Sequence, residues 1–373
     1  MNGDLLVLSG NYPPENGGPA KFAKNFSSWA VSRFNHVFVI STHPYTNREF
    51  FDHEVKVYLV SRKANLLKRF GITVLQIRRR SRNGATIIAN GLFYEVLLAS
   101  ILFRIKFFVK IPGDIVWERA RASLDTTLSM SEFQESRLNL KYRILRFVFT
   151  STLHRSEGVI VPSSALLEVC RQWNIKDSKL KLIFNGVDTN KFSPNSTSEK
   201  NYDIITVSRL IEIKKIDELI KAASQLNLKL LIVGSGPLEK NLKDLNECVG
   251  SPANFWGDAS QELLPDLYRS ARIFVLNSEF EAGTPYALLE ARACGLVSIA
   301  NESTGAVDVI RHGQDGYLND ESSENNLLSN LIIASKLDDS YENFSCSARE
   351  RTVEFFSEEN IYRDIINYCG SSL

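Results

Sequence analysis

Residues 273–296, IFVLNSEFEAGTPYALLEARACGL, limit the possible folds more than any other stretch. Ile273 to Leu276 is a short run of β-branched and aromatic residues, the pattern of a buried strand. Ser278 to Thr284 interrupts it with carboxylates and a glycine. From Pro285 onward Ala287, Leu288, Ala291 and Cys294 recur at helical spacing until Gly295, so a helix is predicted with Pro at its start and Gly past its end. Strand, polar loop and helix N-terminus form the place where an α/β sheet holds phosphates and sugars, because free N–H groups and the positive end of the helix dipole face the ligand. Glu281 in the loop and Glu290 in the helix are suited to accept hydrogen bonds from vicinal hydroxyls. The plainer alternatives are a first-turn charge for Glu281 and a solvated helix face for Glu290.

The N-terminal half repeats the strand–helix rhythm. Leu5 to Leu8, Val37 to Ser41, Val55 to Val60, Thr86 to Ala89, Phe107 to Lys110 and Gly158 to Val161 are predicted strands, separated by amphipathic stretches such as Lys21 to Phe34. Such alternation predicts a parallel sheet covered on both faces. Gly17 and Gly18 end the loop after the first strand, where bare amides can approach a ligand or merely make a tight turn. Asp114 is expected just past the carboxyl edge of the sheet, as a ligand contact or a helix N-cap. In VIVPSSALLEVC, Ser163 or Ser164 is the expected cap. Asn185-Gly186 makes a turn, and Ser193 to Asn201 reads as the connection between domains.

After this connection the pattern starts again. Arg209 ends a strand, and Lys214 and Lys215 precede a helix. Gly234-Ser235-Gly236 follows the next strand, and Thr304-Gly305 sits at a later strand end. Arg209, by its planar fork, and Lys214, as a point charge, are suited to a diphosphate, although each alone would be an ordinary surface charge.

At 373 residues, 44% of them hydrophobic, the chain is long enough for two domains of ordinary size. Its five cysteines have neither metal-type nor disulfide-framework spacing and read as reduced cytosolic residues. The start MNGDLLVLSG reads as a first strand rather than a signal peptide, and Val96 to Val109 is too short and too charged to span a bilayer. Net charge is +1, but residues 1–190 hold 27 Lys and Arg against 15 Asp and Glu, and the remainder 17 against 28. The excess is densest at Lys68, Arg69, Arg78, Arg79, Arg80 and Arg82, beside Phe70, Ile72 and Leu75. That combination suits an anionic membrane face or a polyanionic acceptor, with a solvated helix face as the plain alternative.

Taken in order, these motifs resemble the family four glycosyltransferases, the group 1 family of retaining, nucleotide-sugar-dependent enzymes. The carriers are Gly17-Gly18, Asn185 to Asp188, Arg209 with Lys214, Gly234 to Pro237, Glu281 with Glu290-Ala291 and Gly295, and Gly316. The resemblance implies an α/β, GT-B fold of two facing Rossmann-like domains with parallel sheets. The implied domains are 1–183 plus 356–373 for the acceptor and 184–355 for the donor, joined by a C-terminal helix, Phe355 to Cys369, crossing back to the first.

The resemblance further implies that Arg209 and Lys214 grip the donor diphosphate, Glu290 binds ribose hydroxyls, and Glu281 with the following loop amides holds the transferred sugar. Gly17, Gly18, Gly234, Gly236, Gly283, Thr284, Pro285 and Tyr286 complete the expected donor contacts. Asp114 stands with Gly113 where many members carry a His-Gly pair, so it is expected at the transferred sugar. Eight residues separate Glu281 from Glu290, commonly one fewer in the family, with Gly283 the candidate insertion. The implied donor is a UDP- or GDP-sugar and the acceptor a glycan or lipid-linked molecule. No metal, other cofactor or nucleic acid is expected. The expected location is cytoplasmic, peripheral to the membrane. A nucleotide-sugar epimerase and a non-catalytic sugar- or membrane-binding scaffold are the alternatives.

Overall fold

The computed structural model describes residues 3–15, 17–82, 84–123, 125–195, 199–250, 253–320 and 326–371. The chain divides into two units, Met1–Ile183 with Tyr362–Leu373, and Phe184–Ile361.

The first unit is built on strands β1 (Leu5–Ser9), β2 (Val37–His43), β3 (Arg48–Asp52), β4 (Val55–Ser61), β5 (Thr86–Asn90), β6 (Phe108–Lys110), β7 (Gly158–Val161) and β8 (Leu180–Leu182). Their order is β3-β4-β2-β1-β5-β6-β7-β8. Every residue of β1 and β7 is buried, as a sheet covered on both faces requires. The sequence reading missed β3, which pairs antiparallel with β4 at the sheet edge. Its residues Arg-Glu-Phe-Phe-Asp are largely exposed and lack the apolar run that marks a covered strand.

The second unit holds β9 (Tyr202–Val207), β10 (Leu230–Val233), β11 (Asn254–Gly257), β12 (Ala271–Leu276), β13 (Val297–Asn301) and β14 (Gly316–Asn319). The order β11-β10-β9-β12-β13-β14 is doubly wound: the chain steps outward from β9 to β11, then returns to β12 and steps outward the other way. All the pairings are parallel. Strand periodicity sorts the core into two layers. Ile205, Leu231, Val233, Phe274 and Leu276 pack on one face, and Ile204, Leu230, Ile232, Ile273 and Val275 on the other. Both units are therefore Rossmann-like, with one antiparallel edge strand in the first.

The C-terminal tail departs from expectation. Phe355 and Phe356 end the helix Tyr341–Phe356, Ser357 is extended, and a separate helix runs Glu358–Ser371. Phe356 is 1% exposed in the second unit's core, its ring 5.3 Å from that of Phe184. The first unit is rejoined at Tyr362, six residues later than the sequence suggested. There the Tyr362 ring packs edge-on to Phe26 at 5.2 Å and Trp29 at 5.6 Å. Within the second unit the two connecting segments are stitched together: Val187 N–H donates to Phe356 at 2.8 Å and Glu358 N–H to Val187 at 3.0 Å. The connection expected over Ser193 to Asn201 instead falls within the second unit, which begins at Phe184, and partly outside the described residues, at 196–198.

Candidate functional site

In a doubly wound sheet the crevice opens at the carboxyl ends of the two strands where the winding reverses, here β9 and β12. Arg209 and Lys214 follow β9, and Glu281 follows β12. The backbone of the Arg209 loop is pinned: Ser208 N–H donates to Val233 at 3.0 Å and Leu210 N–H to Ser235 at 2.9 Å. Gly234 and Gly236 make this possible. A Cβ on Gly234 would lie 2.0 Å from the Ser208 carbonyl oxygen, and one on Gly236 2.4 Å from that of Leu210. Bare backbone at both positions thus admits the cation-bearing loop itself, a use that the motif alone did not reveal. Ser235 is occupied as well, its hydroxyl 2.8 Å from each oxygen of Asp258. Arg209 is exposed, and among the described residues its guanidinium has no hydrogen-bond or ion-pair partner.

Lys214 ends a short 3-10 helix, Glu212–Lys214, and forms an ion pair with Glu281; the two side chains are 14% and 24% exposed. Ser278 donates to the same Glu281 oxygen at 3.0 Å. Three further bonds join the lysine segment and the helix after it to the carboxylate loop. Glu279 N–H donates to Ile213 at 2.8 Å, and Asn277 Nδ2 donates to the Lys215 carbonyl at 3.1 Å and to Glu218 at 3.1 Å. The extra residue between the glutamates therefore does not separate Glu281 from the cation.

Gly283 and Thr284 follow. Gly305 passes so close that a Cβ there would lie 2.4 Å from the Gly283 carbonyl oxygen, and Gly305 N–H donates to Glu281 at 3.2 Å. Thr284 is 1% exposed and holds the Asn-Gly turn: Asn185 N–H donates to its hydroxyl at 3.3 Å and Asn185 Nδ2 to its carbonyl at 2.8 Å. Pro285 is the N-cap of the helix Tyr286–Ala293. Burial pushes the Tyr286 hydroxyl well above its usual range. Glu290, on the same helix, is no solvated face: it is 3% exposed, and its Oε2 accepts from Tyr268 at 2.9 Å. Desolvation, then the charge of Glu290, hold the Tyr268 hydroxyl neutral, so it serves as a fixed donor.

Just past Glu290 lies a buried ion network. Arg292 and Asp315 are both fully buried, 2.9 Å apart; Arg292 Nη1 also donates to the Asp315 carbonyl at 2.7 Å, and Arg311 Nε reaches the other carboxylate oxygen at 2.6 Å. Desolvation pulls the Arg292 guanidinium below its ordinary value. The sequence reading missed Tyr268, Asn277 and this pair. An Arg and an Asp more than twenty residues apart read as surface charges until the fold is known.

In the first unit, Gly17 (φ 134°) precedes the helix Gly18–Ala30 that follows β1. Its loop is braced by Arg62, whose two terminal nitrogens meet Glu15 at 2.9 and 2.8 Å, and by Tyr12 donating to Asp52 at 2.9 Å. Asp114 is the residue expected at the transferred sugar. It is fully buried and caps the helix Ile115–Ala122: Oδ1 accepts from the Val116 and Trp117 amides at 2.9 and 3.1 Å, and Oδ2 from Gln134 at 2.8 Å. Burial raises its pKa, and these donors offset part of the rise. With both oxygens engaged, its visible role is the N-cap. Ser163, the other expected cap, accepts from Leu166 N–H at 3.3 Å.

The helix Leu66–Arg80 carries the basic run. It buries Thr73, Val74 and Ile77 and leaves Leu67 82% and Leu75 59% exposed. Arg80 turns inward, 3.4 Å over the Tyr58 ring. Among the described residues no helix is long and apolar enough to cross a membrane.

Residues 187–351 match the family model for glycosyl transferases group 1, and residues 16–191 that for glycosyltransferase family 4. An uncharacterized glycosyltransferase of Methanocaldococcus jannaschii is 30% identical over 189 residues, 45% of this chain; the chain spans about half the length of that relative, 48%. A GDP-mannose-dependent alpha-(1-6)-phosphatidylinositol monomannoside mannosyltransferase of Mycobacterium tuberculosis is 23% identical over 86% of both chains. Among solved structures, Anabaena HepE in complex with UDP and glucose superposes with a TM-score of 0.76 at 17% identity, covering 99% of each chain.

Proposed function

The chain belongs to the group 1 glycosyltransferases, and on that footing we propose that it transfers a sugar, with retention, from a nucleoside-diphosphate sugar to a glycan or lipid-linked acceptor in surface-polysaccharide or glycolipid synthesis. One observation carries the reading: an Arg209 without a side-chain partner among the described residues and a Lys214–Glu281 pair follow β9 and β12, on loops pinned by backbone hydrogen bonds.

In the reaction the bond from the sugar's anomeric carbon to the diphosphate breaks, and its electron pair leaves with the diphosphate. The acceptor hydroxyl oxygen then bonds to that carbon, and its proton passes to the departing diphosphate oxygen. Negative charge grows on the diphosphate while the sugar turns oxocarbenium-like. Arg209 and Lys214 are the preorganised cations for that charge, and we assign its stabilisation to them without a metal. Glu281, kept at Lys214, receives sugar hydroxyls, and Glu290, oriented by Tyr268, the ribose. Group 1 membership weighs against the epimerase reading.

Calorimetry of the purified protein against UDP and GDP, followed by transfer assays with the sugars of whichever binds, tests the proposal. Micromolar binding of one nucleotide, followed by turnover, is expected. No binding of either and no turnover with any donor would sink it.

A peripheral membrane position is proposed on the exposed Leu67 and Leu75 beside Lys68 and Arg79. Co-sedimentation with anionic vesicles should be strong in low salt and weaken in high salt. Equal recovery on neutral and anionic vesicles would remove the basic helix from the account.

A further inference from the structure

A pocket of about 470 Å3 opens in the first unit. Its walls include Tyr94 of the helix Phe93–Phe103, Arg119 of the helix Ile115–Ala122, and Lys141, Tyr142, Ile144 and Val148 of the helix Leu140–Arg155. The size is that of a small-molecule site. The first two helices follow β5 and β6, and Tyr94 is the second residue of its helix, so the pocket reaches toward the carboxyl edge of the sheet, where ligands bind in this architecture.

The pocket is mostly carbon, from Ile144, Val148 and the tyrosine rings. A saccharide would need a ring of polar partners that such walls lack. Its rim is cationic. Arg119 Nη1 lies 3.4 Å from the Tyr94 hydroxyl, and its guanidinium has no ion pair among the described residues. Lys141 is shared with Asp125 at 3.5 Å, and Asp125 also accepts from the Tyr142 hydroxyl. Arg119 is therefore the rim cation left for an incoming anion.

The helices that wall the pocket also carry exposed apolar residues. Ile144 and Phe147 are 55% and 71% exposed on one helix, and Ile101 and Leu102 55% and 58% on the neighbouring one. The helices are tied together where Arg155 Nε donates to Ser100 at 2.7 Å. A carbon-walled pocket with one cation free of ion pairs among the described residues, on helices that also expose apolar side chains, is complementary to an amphipathic anion with a hydrocarbon chain.

We infer that this pocket binds the membrane-resident lipid-phosphate end of the acceptor, whose attached glycan carries the hydroxyl that takes the sugar. The phosphate meets Arg119, the first part of the chain lies against Ile144 and Val148, and the remainder runs on into the bilayer. The inference rests on the transferase reading above and narrows its acceptor to the lipid-linked class.

The test is calorimetry of the full chain with monodisperse decyl phosphate, using inorganic phosphate and decyl glucoside as controls and UDP and GDP as independent ligands. Decyl phosphate should bind at least about tenfold more tightly than either control. Val148→Trp, which fills the pocket, Arg119→Glu, and the surface change Ile144→Glu should each weaken it by at least about tenfold, with nucleotide binding and the melting temperature unchanged. Binding no tighter than that of decyl glucoside, or undiminished in Ile144→Glu and Val148→Trp, overturns the inference while nucleotide binding stands. Absence of nucleotide binding instead strikes the parent reading.

Discussion

Replacing Lys214 with Ala should slow sugar transfer about 100- to 1000-fold, roughly 3–4 kcal/mol of lost transition-state stabilisation, and leave the fold intact. The lysine is the only one of the two expected donor cations already engaged, and its partner is Glu281. Removing it therefore has two consequences: the departing diphosphate loses a preorganised charge, and Glu281 loses the cation that aims it. Most of the loss should appear in kcat, because the charge that Lys214 meets is largest in the transition state. Nucleotide affinity should fall much less. Arg209→Ala should act in the same direction without disturbing Glu281. Transfer kinetics and nucleotide calorimetry on the same preparations decide the matter. A Lys214→Ala protein that transfers at the parent rate would mean that the cation is a structural partner of Glu281 and nothing more, and in-cell function surviving loss of both cations would favour the scaffold reading.

Asp315→Ala should destabilise the second unit by about 3–5 kcal/mol, the range for stripping one partner from a buried ion pair. Asp315 stands between Arg292 and Arg311 with no exposure of its own. Without it the Arg292 guanidinium remains inside, with the residue-315 carbonyl its one acceptor among the described residues. Arg292→Met combined with Asp315→Ala should recover part of the loss, since the buried charge goes with its partner. Urea unfolding of the three variants measures this. A single-variant loss below about 1 kcal/mol, the range of surface pairs, would show that the network is not sealed.

How far the sequence was legible follows from which forces act locally. Covered strands such as β1, β7 and β12 stand out because a strand buried on both faces must be apolar throughout. The edge strand β3 needs no such run, and nothing in Arg48–Asp52 advertises it. Arg209, Lys214 and Glu281 were legible as residue types after strands, and Glu290 as one on the helix that follows. Their partners were not: the Tyr268–Glu290 bond spans 22 residues of sequence and the Asn185–Thr284 bond 99, and only the finished sheet brings them together. Asp114 shows the opposite limit. An Asp ahead of a helix fits both a cap and a ligand contact, and only the folded chain shows the cap, with three donors on the buried carboxylate. Likewise Phe356 fitted the amphipathic pattern of the tail, yet the extended Ser357 breaks the helix after it and assigns it to the other core.

The bonds from Val187 to Phe356 and Glu358 mean that the second unit begins and ends at nearly one place. A segment closed on itself in this way behaves as a cassette: it can be excised, folded alone or exchanged between relatives with two junctions that need only meet each other. Under the proposed roles, with the second unit holding the donor, such a layout lets that unit be replaced while the rest of the chain is inherited unchanged.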